Sequence, residues 1–309
     1  MTESMSRGRR LPVVASLLAL SAGVIWSVGA VLKRLADESD AFQYLIWRSV
    51  GIIVVVEVIS ALRRDPFPTV RAWRSGRAMI SANIGLFLAS LAFVYAVDTT
   101  TPANAAFLSS LTPLVAVVFA RVLGEQLSRS TIVALAAGIV GLTVTVFSDL
   151  EAGSMIGNVA AFCSSIGFAL YTVSLRTGPE RDWSPVLPGY SALMILVCGI
   201  VTLAHGKPLV PPLLDTAYAL FHGAVIIVVG TFMFNAATKQ VPAVPMTVFA
   251  QTEMAFVPLL SFVILGLTPK PLTIVGGVII FCAVVGKALY DTSGGRRSEY
   301  TTAPDVPLL

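Results

Sequence analysis

Apolar runs of about twenty residues follow one another along the chain, separated by short polar breaks. They cover about 12–33, 41–62, 77–97, 101–122, 130–148, 154–176, 185–204, 216–236, 242–265 and 271–290. A helix that crosses a bilayer needs roughly 20 mostly apolar residues. The pattern therefore predicts ten transmembrane helices, spans one to ten, in an all-α integral membrane protein. Breaks as short as Asp98–Thr100 imply that consecutive spans are antiparallel neighbours. The first run opens on Arg7, Arg9 and Arg10. It is longer than the roughly 7–15-residue apolar region of a signal peptide, and no small-x-small cleavage site closes it, so it reads as a retained helix. From Asp291 to Leu309 the chain turns polar and rich in Gly, Ser, Thr and Pro, the composition of a disordered tail.

Charge gives the runs an orientation. Cytoplasmic loops of membrane proteins carry an excess of Lys and Arg. Of the 21 such residues, sixteen fall on the side of the N-terminus, four on the other side, and Arg48 lies within span two. That bias predicts both termini in the cytoplasm. It also removes nucleic acid as a reading of the net charge of +4, because the basic residues sit at the ends of apolar runs and not on one face. The composition agrees: 56% hydrophobic and 12% charged, against roughly 25% charged in soluble domains.

The chain also repeats itself. At an offset of 142, Trp26–Arg34 lies over Phe168–Arg176, and Leu123-Gly124 lies over Leu265-Gly266. At an offset of 140, Thr101-Pro102-Ala103 lies over Val241-Pro242-Ala243. These matches divide the protein into a five-helix repeat at 1–148, with a short cytoplasmic tail at 1–11, and a second at 149–290. Five is odd, so the second copy enters the membrane from the opposite side. Inverted repeats of this kind build many secondary transporters, with the binding site near the midplane between the halves.

Several local patterns resemble the ten-helix EamA-type permeases of the drug/metabolite transporter superfamily. They are Gly23-x-x-Trp26-Ser27 in span one and Trp47-Arg48 in span two. Span four has Thr112-Pro113 followed by Leu123-Gly124-Glu125, and span nine has Glu253 upstream of Leu265-Gly266. The chain departs from the family where Gly266 is followed by Leu267 instead of glutamate, and where Phe168 stands for a tryptophan. The resemblance implies transport of small organic solutes, usually metabolite export such as that of amino acids, by alternating access. It places spans one, three, four, six, eight and nine around a cavity and pairs spans five and ten at the periphery. Small residues four apart fit such a pairing: Ala134/Gly138, Ala137/Gly141 and Cys282/Gly286.

Span nine carries the sharpest candidate. Glu253 lies near its middle, with Pro245 and Pro258 on either side. An acid at mid-membrane costs about 2.5–3.5 kcal/mol on insertion scales and is expected to face a cavity or a partner. Two functional roles are open, holding a cationic ammonium group or carrying a coupling proton. The plainer reading is a structural carboxyl bonded to a neighbouring helix. The other candidate substrate contacts are Trp26, Asn83, Phe87, Asn104, Phe168, Tyr171, Met233, Asn235 and Phe249. Interhelical amide bonds and ordinary core packing are the competing uses of these side chains. Trp26 and Phe168 gain weight from matching positions in the two halves. Arg48 and His222 read first as an arginine snorkelling to the outer surface and as an interfacial or packing histidine.

The remaining classes lack their motifs. The only histidines, His205 and His222, make no zinc-protease pair, and no Gly-x-Ser-x-Gly or phosphate-binding loop is present. Neither an enzymatic activity nor a metal or other cofactor is expected. The expected protein is a multi-pass transporter of the inner (cytoplasmic) membrane, monomeric or homodimeric in a lipid environment. Its solute is expected to be small, organic, and zwitterionic or cationic. A flippase for lipid or lipid-linked substrates is the alternative on the same fold.

Overall fold

The structure, a computed structural model, describes residues 13–99, 108–122, 129–147, 154–266 and 271–293. Among the described residues the chain is helical throughout, with no strands. The helices are α1 (Val13–Leu35), α2 (Ala41–Leu62), α3 (Pro68–Arg74), α4 (Arg77–Thr99), α5 (Thr112–Val122), α6 (Arg129–Phe147) and α7 (Met155–Arg176). They continue with α8 (Val186–Ala204), α9 (Leu213–Phe221), a π-helical turn at His222–Ile227, α10 (Val228–Thr238), α11 (Ala243–Ala250), α12 (Thr252–Leu265) and α13 (Pro271–Ser293).

Among the described residues, seven stretches are long and apolar enough to cross a bilayer. They are α1, α2, α4, α7, α8, the segment Leu213–Thr238 formed by α9, the π turn and α10, and the segment Ala243–Leu265 formed by α11 and α12. The fourth, fifth and tenth expected spans are represented by α5, α6 and α13, of 11, 19 and 23 residues. Helix α13 runs through Asp291–Ser293, three residues further than the polar composition suggests. Leu17, Val54, Val58, Leu62, Ile200, Leu203, Val263 and Leu272 lie on the outside. Apolar surface on that scale belongs against lipid, because soluble monomers expose only small apolar patches.

Local chemistry sets the helix ends. Asp40 caps α2: its side chain accepts from the Gln43 N–H at 2.8 Å, and the Gln43 side chain accepts from the Asp40 N–H at 3.2 Å. This reciprocal pair satisfies two donors that a helix start leaves orphaned. The second loop holds a helix that hydropathy does not reveal. Its chain turns at Phe67 with φ of 62° and enters α3 with Pro68 at the first position, where the missing proline N–H has no cost.

The packing has a regular scheme. Helix α4 lies along α7, and α1 along α10; α5 meets α7, and α12 meets α1; α2 crosses α8, and α6 pairs with α13. The α6–α13 contact closes at Gly141, where an added Cβ would stand 2.8 Å from the Gly276 carbonyl. Gly138 and Gly286 face open space instead. Of the three expected small-residue pairs, the one ending at Gly141 therefore makes the close approach. The main core joins Ala19, Leu45, Ile52, Met79, Tyr171, Tyr190 and Phe234 across both halves of the chain.

Candidate functional site

The helical course is interrupted at two places. A turn at Gln251 separates α11 from α12, and a turn at Ser110 and Leu111 immediately precedes α5. Each break is held in the same way. The Thr252 hydroxyl donates to the Phe249 carbonyl at 2.6 Å, and the Thr112 hydroxyl donates to the Ser109 carbonyl at 2.7 Å. The Ser109 carbonyl has no ladder donor, because the residue four further on is Pro113, and the Thr112 hydroxyl satisfies it. Broken backbone within a bilayer is tolerated only where it lines a protein or water-filled space. The interruption of span nine falls at Gln251, and α12 runs unbroken through position 258. Pro113 lies in the first turn of α5, the place in a helix where proline is best tolerated.

Both breaks face a cavity of about 290 Å³. Trp26 and Gly29 of α1, Arg48 of α2, Ser90 of α4, Phe168 of α7 and Glu253 of α12 mark its walls. The cavity reaches the surface beside Arg34, an exposed residue at the end of α1. Below Trp26 it is closed by stacked aromatic rings. Trp26 packs on Phe168 and Phe234 at centroid separations of 5.9 and 5.3 Å, and Phe234 stacks on Tyr171 at 6.1 Å.

Glu253 sits in the first turn of α12, where the free N–H groups and the helix dipole favour a carboxylate. It is half-buried, and it lines the cavity. Helix α1 passes the break so closely that a Cβ at Gly23 would lie 3.0 Å from the Glu253 nitrogen and 3.1 Å from the Ala250 carbonyl. The glycine of Gly23-x-x-Trp26-Ser27 thus lets the backbone of α1 approach the broken helix, with Trp26 one turn further into the cavity.

The opposite wall is built on α2 and the π turn. Gly223 packs directly on the Arg48 carbonyl, leaving no room for a Cβ, and a Cβ at Gly51 would meet the Leu220 carbonyl at 2.5 Å. The π turn begins at His222, whose ring fills the space beside Gly29 while its Nδ1 meets the Tyr44 hydroxyl at 2.8 Å. Arg48 does not snorkel outward. It is 4% exposed and donates to the Ser90 hydroxyl. Three buried polar atoms of the cavity-lining residues have no hydrogen-bond partner among the described residues: Arg48 Nε, Ser110 Oγ and Gln251 Oε1. Buried polar atoms are nearly always paired, which sets these three residues apart from the rest of the lining.

The candidates read from sequence divide in two. Trp26, Phe168 and Glu253 line the cavity. Tyr171 and Asn235 lie below it, with the tyrosine hydroxyl donating to the amide oxygen. Asn83 is a tie between elements, its amide donating to the Ala72 carbonyl at 3.0 Å and the Met79 carbonyl at 2.9 Å. Phe87 and Met233 pack on the main core. Phe249 is fully buried, with the Lys287 ammonium 5.9 Å from its ring centre. Asn104 lies outside the described residues. Spans two and seven, which the family pattern leaves out of the lining, contribute Tyr44, Arg48 and Tyr190. Their sequence signal was Trp47-Arg48, a cation deep in an apolar run; nothing in span seven marked Tyr190.

A bundle of apolar helices around a mostly apolar cavity with a few polar groups, open at one end and plugged at the other, is the architecture of a membrane protein built to admit a solute. The chain belongs to the EamA-like transporter family of the drug/metabolite transporter superfamily, whose model matches residues 13–147 and 155–287. It is 22% identical over 301 residues to an uncharacterized transporter, YetK, of Bacillus subtilis (strain 168), covering 94% of this chain and 90% of that protein. A solved crystal structure of a protein at 18% identity superposes with a TM-score of 0.71, covering 90% of this chain and 98% of that one. It shares the fold.

Proposed function

We propose that this protein is a secondary active transporter that moves a small organic metabolite, amino-acid-like and zwitterionic or cationic, across the cytoplasmic membrane. It works by alternating access, as an exporter or exchanger. The observation that carries the reading is the cavity itself. It lies against two helix breaks, reaches the surface at Arg34, and is closed by the Trp26, Phe168, Tyr171 and Phe234 rings at its other end. A site open on one side only is one of the two states that alternating access requires. Opening the aromatic plug while closing the Arg34 end is the complementary state.

The architecture in this reading has ten spans in two inverted halves, 1–148 and 149–290, with both termini cytoplasmic. Packing supports it. Exchanging the halves turns α4–α7 into α10–α1 and α5–α7 into α12–α1, while α2–α8 and α6–α13 map onto themselves; all six contacts exist. The breaks at Gln251 and at Ser110–Leu111, with their matching threonine bonds, lie at corresponding places of the two halves. The family match, over two stretches of similar length, agrees with two copies.

Glu253 is assigned to the ammonium group of the solute or to a coupling proton. The test is counterflow in proteoliposomes, with labelled amino acids and amines and an imposed pH gradient. Wild type is expected to exchange solute without ATP, and Glu253→Gln is expected to lose either exchange or its pH dependence. Full transport with unchanged pH dependence in Glu253→Gln removes the carboxylate from the mechanism. No exchange of any amino acid or amine rejects the substrate class.

A further inference from the structure

Among the described residues, Arg48 is a buried cation without an anion. It is 4% exposed, and among the described residues no carboxylate lies within 4.0 Å of it. Of its five N–H donors, one is engaged, by the Ser90 hydroxyl, and Nε is sealed from solvent without a partner. Tyr44, Tyr190, Cys198 and His222 lie within its electrostatic reach. His222 is already met by the Tyr44 hydroxyl. Breaking or omitting the partner of a buried charge is among the costliest arrangements a protein can hold.

The side chain has been placed there deliberately by its backbone. Gly223 presses on the Arg48 carbonyl and Gly51 on the Leu220 carbonyl, so α2 cannot slide or rotate to send the guanidinium outward. The side chain lines the cavity from the wall that carries Ser90 and His222.

We propose that Arg48 is the docking point for a carboxylate of the transported solute, with Ser90 fixing the plane of the guanidinium. This rests on the cavity being the transport site. A planar guanidinium with free donors matches a planar carboxylate bidentately. One buried cation balances one negative charge, which favours a monocarboxylate over a phosphate or sulfate dianion. The other cations do not add to it. Lys33 is bound to the Ser39 carbonyl at 3.1 Å and stands 4.0 Å from Asp98, and Arg34 is at the exposed mouth. The acid–base pair of the cavity is then split between α2, which takes the carboxylate, and α12, where Glu253 repels it. A solute that is only a cation fits this cavity less well than a zwitterion or a monocarboxylate.

Binding is measured on the full-length protein in detergent, by thermal stabilisation with three matched sets of probes. These are the common L-amino acids, their carboxamides, and the corresponding decarboxylated amines, with inorganic phosphate and sulfate alongside. Carboxylate-bearing probes are expected to stabilise wild type, and carboxamides and amines to lose at least about tenfold in apparent affinity, the scale of a charge-assisted bidentate contact. Arg48→Gln is expected to lose the carboxylate response, and Arg48→Lys to retain part of it. The proposal is overturned if carboxamides bind as well as carboxylates, if phosphate or sulfate replaces them, if Arg48→Gln responds like wild type, or if no carboxylate stabilises wild type. A second measurement needs no ligand. Without solute, Arg48→Met is expected to melt at or above the wild-type temperature, because it removes an unpaired buried charge. Melting below wild type makes Arg48 a structural residue and overturns the proposal. Because binding is read apart from flux, failure of transport in liposomes leaves this result standing on its own.

Discussion

One substitution type, glycine to alanine, is expected to have three different outcomes in this protein, ordered by what an added Cβ meets. At Gly199 in α8 nothing lies within 4 Å. Alanine there restricts the unfolded chain and improves the helix, a gain of about 0.5–1 kcal/mol. At Gly23 the new methyl finds the Glu253 nitrogen at 3.0 Å and the Ala250 carbonyl and Thr252 Cβ at 3.1 Å. Two of these are backbone atoms, so the crossing must open by a few tenths of an ångström. Overpacking on that scale costs about 1–3 kcal/mol, which cancels the helical gain and leaves a small net loss. At Gly223 the Arg48 carbonyl already occupies the space. Neither backbone has a side chain to rotate away, and the cost is expected at or above about 3 kcal/mol. The readout is the loss of the monodisperse peak of the purified protein after stepwise heating. Irreversible unfolding makes the ranking of midpoints the meaningful quantity. The expected order is Gly199→Ala at or above wild type, Gly23→Ala slightly below, and Gly223→Ala far below. The reasoning fails if Gly223→Ala melts with wild type, or if Gly199→Ala is as damaging as Gly223→Ala. Gly23→Ala carries a second signature. It moves the helix start that holds Glu253, so transport should fall more than stability does.

Two further outcomes are expected. Asp40→Ala should destabilise α2 by about 0.5–2 kcal/mol, the range for losing a side-chain cap. Burial pushes the Asp40 carboxyl up, but the Gln43 N–H, Lys207 and the Phe42 N–H together hold it below its ordinary value. A depressed native value means that its contribution is complete above the unfolded value and is lost as pH falls through the native one. The difference between wild type and Asp40→Ala in thermal midpoint should therefore be full at neutral pH and shrink below about pH 4; a difference that grows on acidification contradicts the assignment. Tyr44→Phe leaves the buried Nδ1 of His222 without its partner, at a cost of about 1–3 kcal/mol, and a Tyr44→Phe protein as stable as wild type would show that the 2.8 Å contact contributes nothing.

Hydropathy alone located the long helices, because a bilayer demands long apolar runs and tolerates few charges within them. Each of the seven stretches long and apolar enough to cross the bilayer lies within a few residues of an apolar run. The same logic flagged Glu253, a carboxylate whose presence in an apolar run needed a reason. Trp26 and Phe168 were legible from their matching positions, and both line the cavity. Sequence could not decide which polar residues face that cavity, because orientation depends on how helices cross. Asn83 and Asn235 have the chemistry of binding residues, yet one ties α3 to α4 and the other receives the Tyr171 hydroxyl beneath the aromatic plug. Arg48 and His222 look from sequence like a snorkelling arginine and an interfacial histidine. Only the crossing of α2 with the π turn, set by Gly51 and Gly223, turns both inward. The break at Gln251 was silent in sequence, whereas the turn at Ser110–Leu111 was signalled by Pro113, whose missing N–H leaves the Ser109 carbonyl to the Thr112 hydroxyl. The sequence by itself determined that this chain lives in a membrane and where its helices run, through the length and polarity that lipid imposes on each segment separately. The cavity, the polar groups that face it and the inward arginine were decided by tertiary structure, because they depend on how closely particular backbones approach.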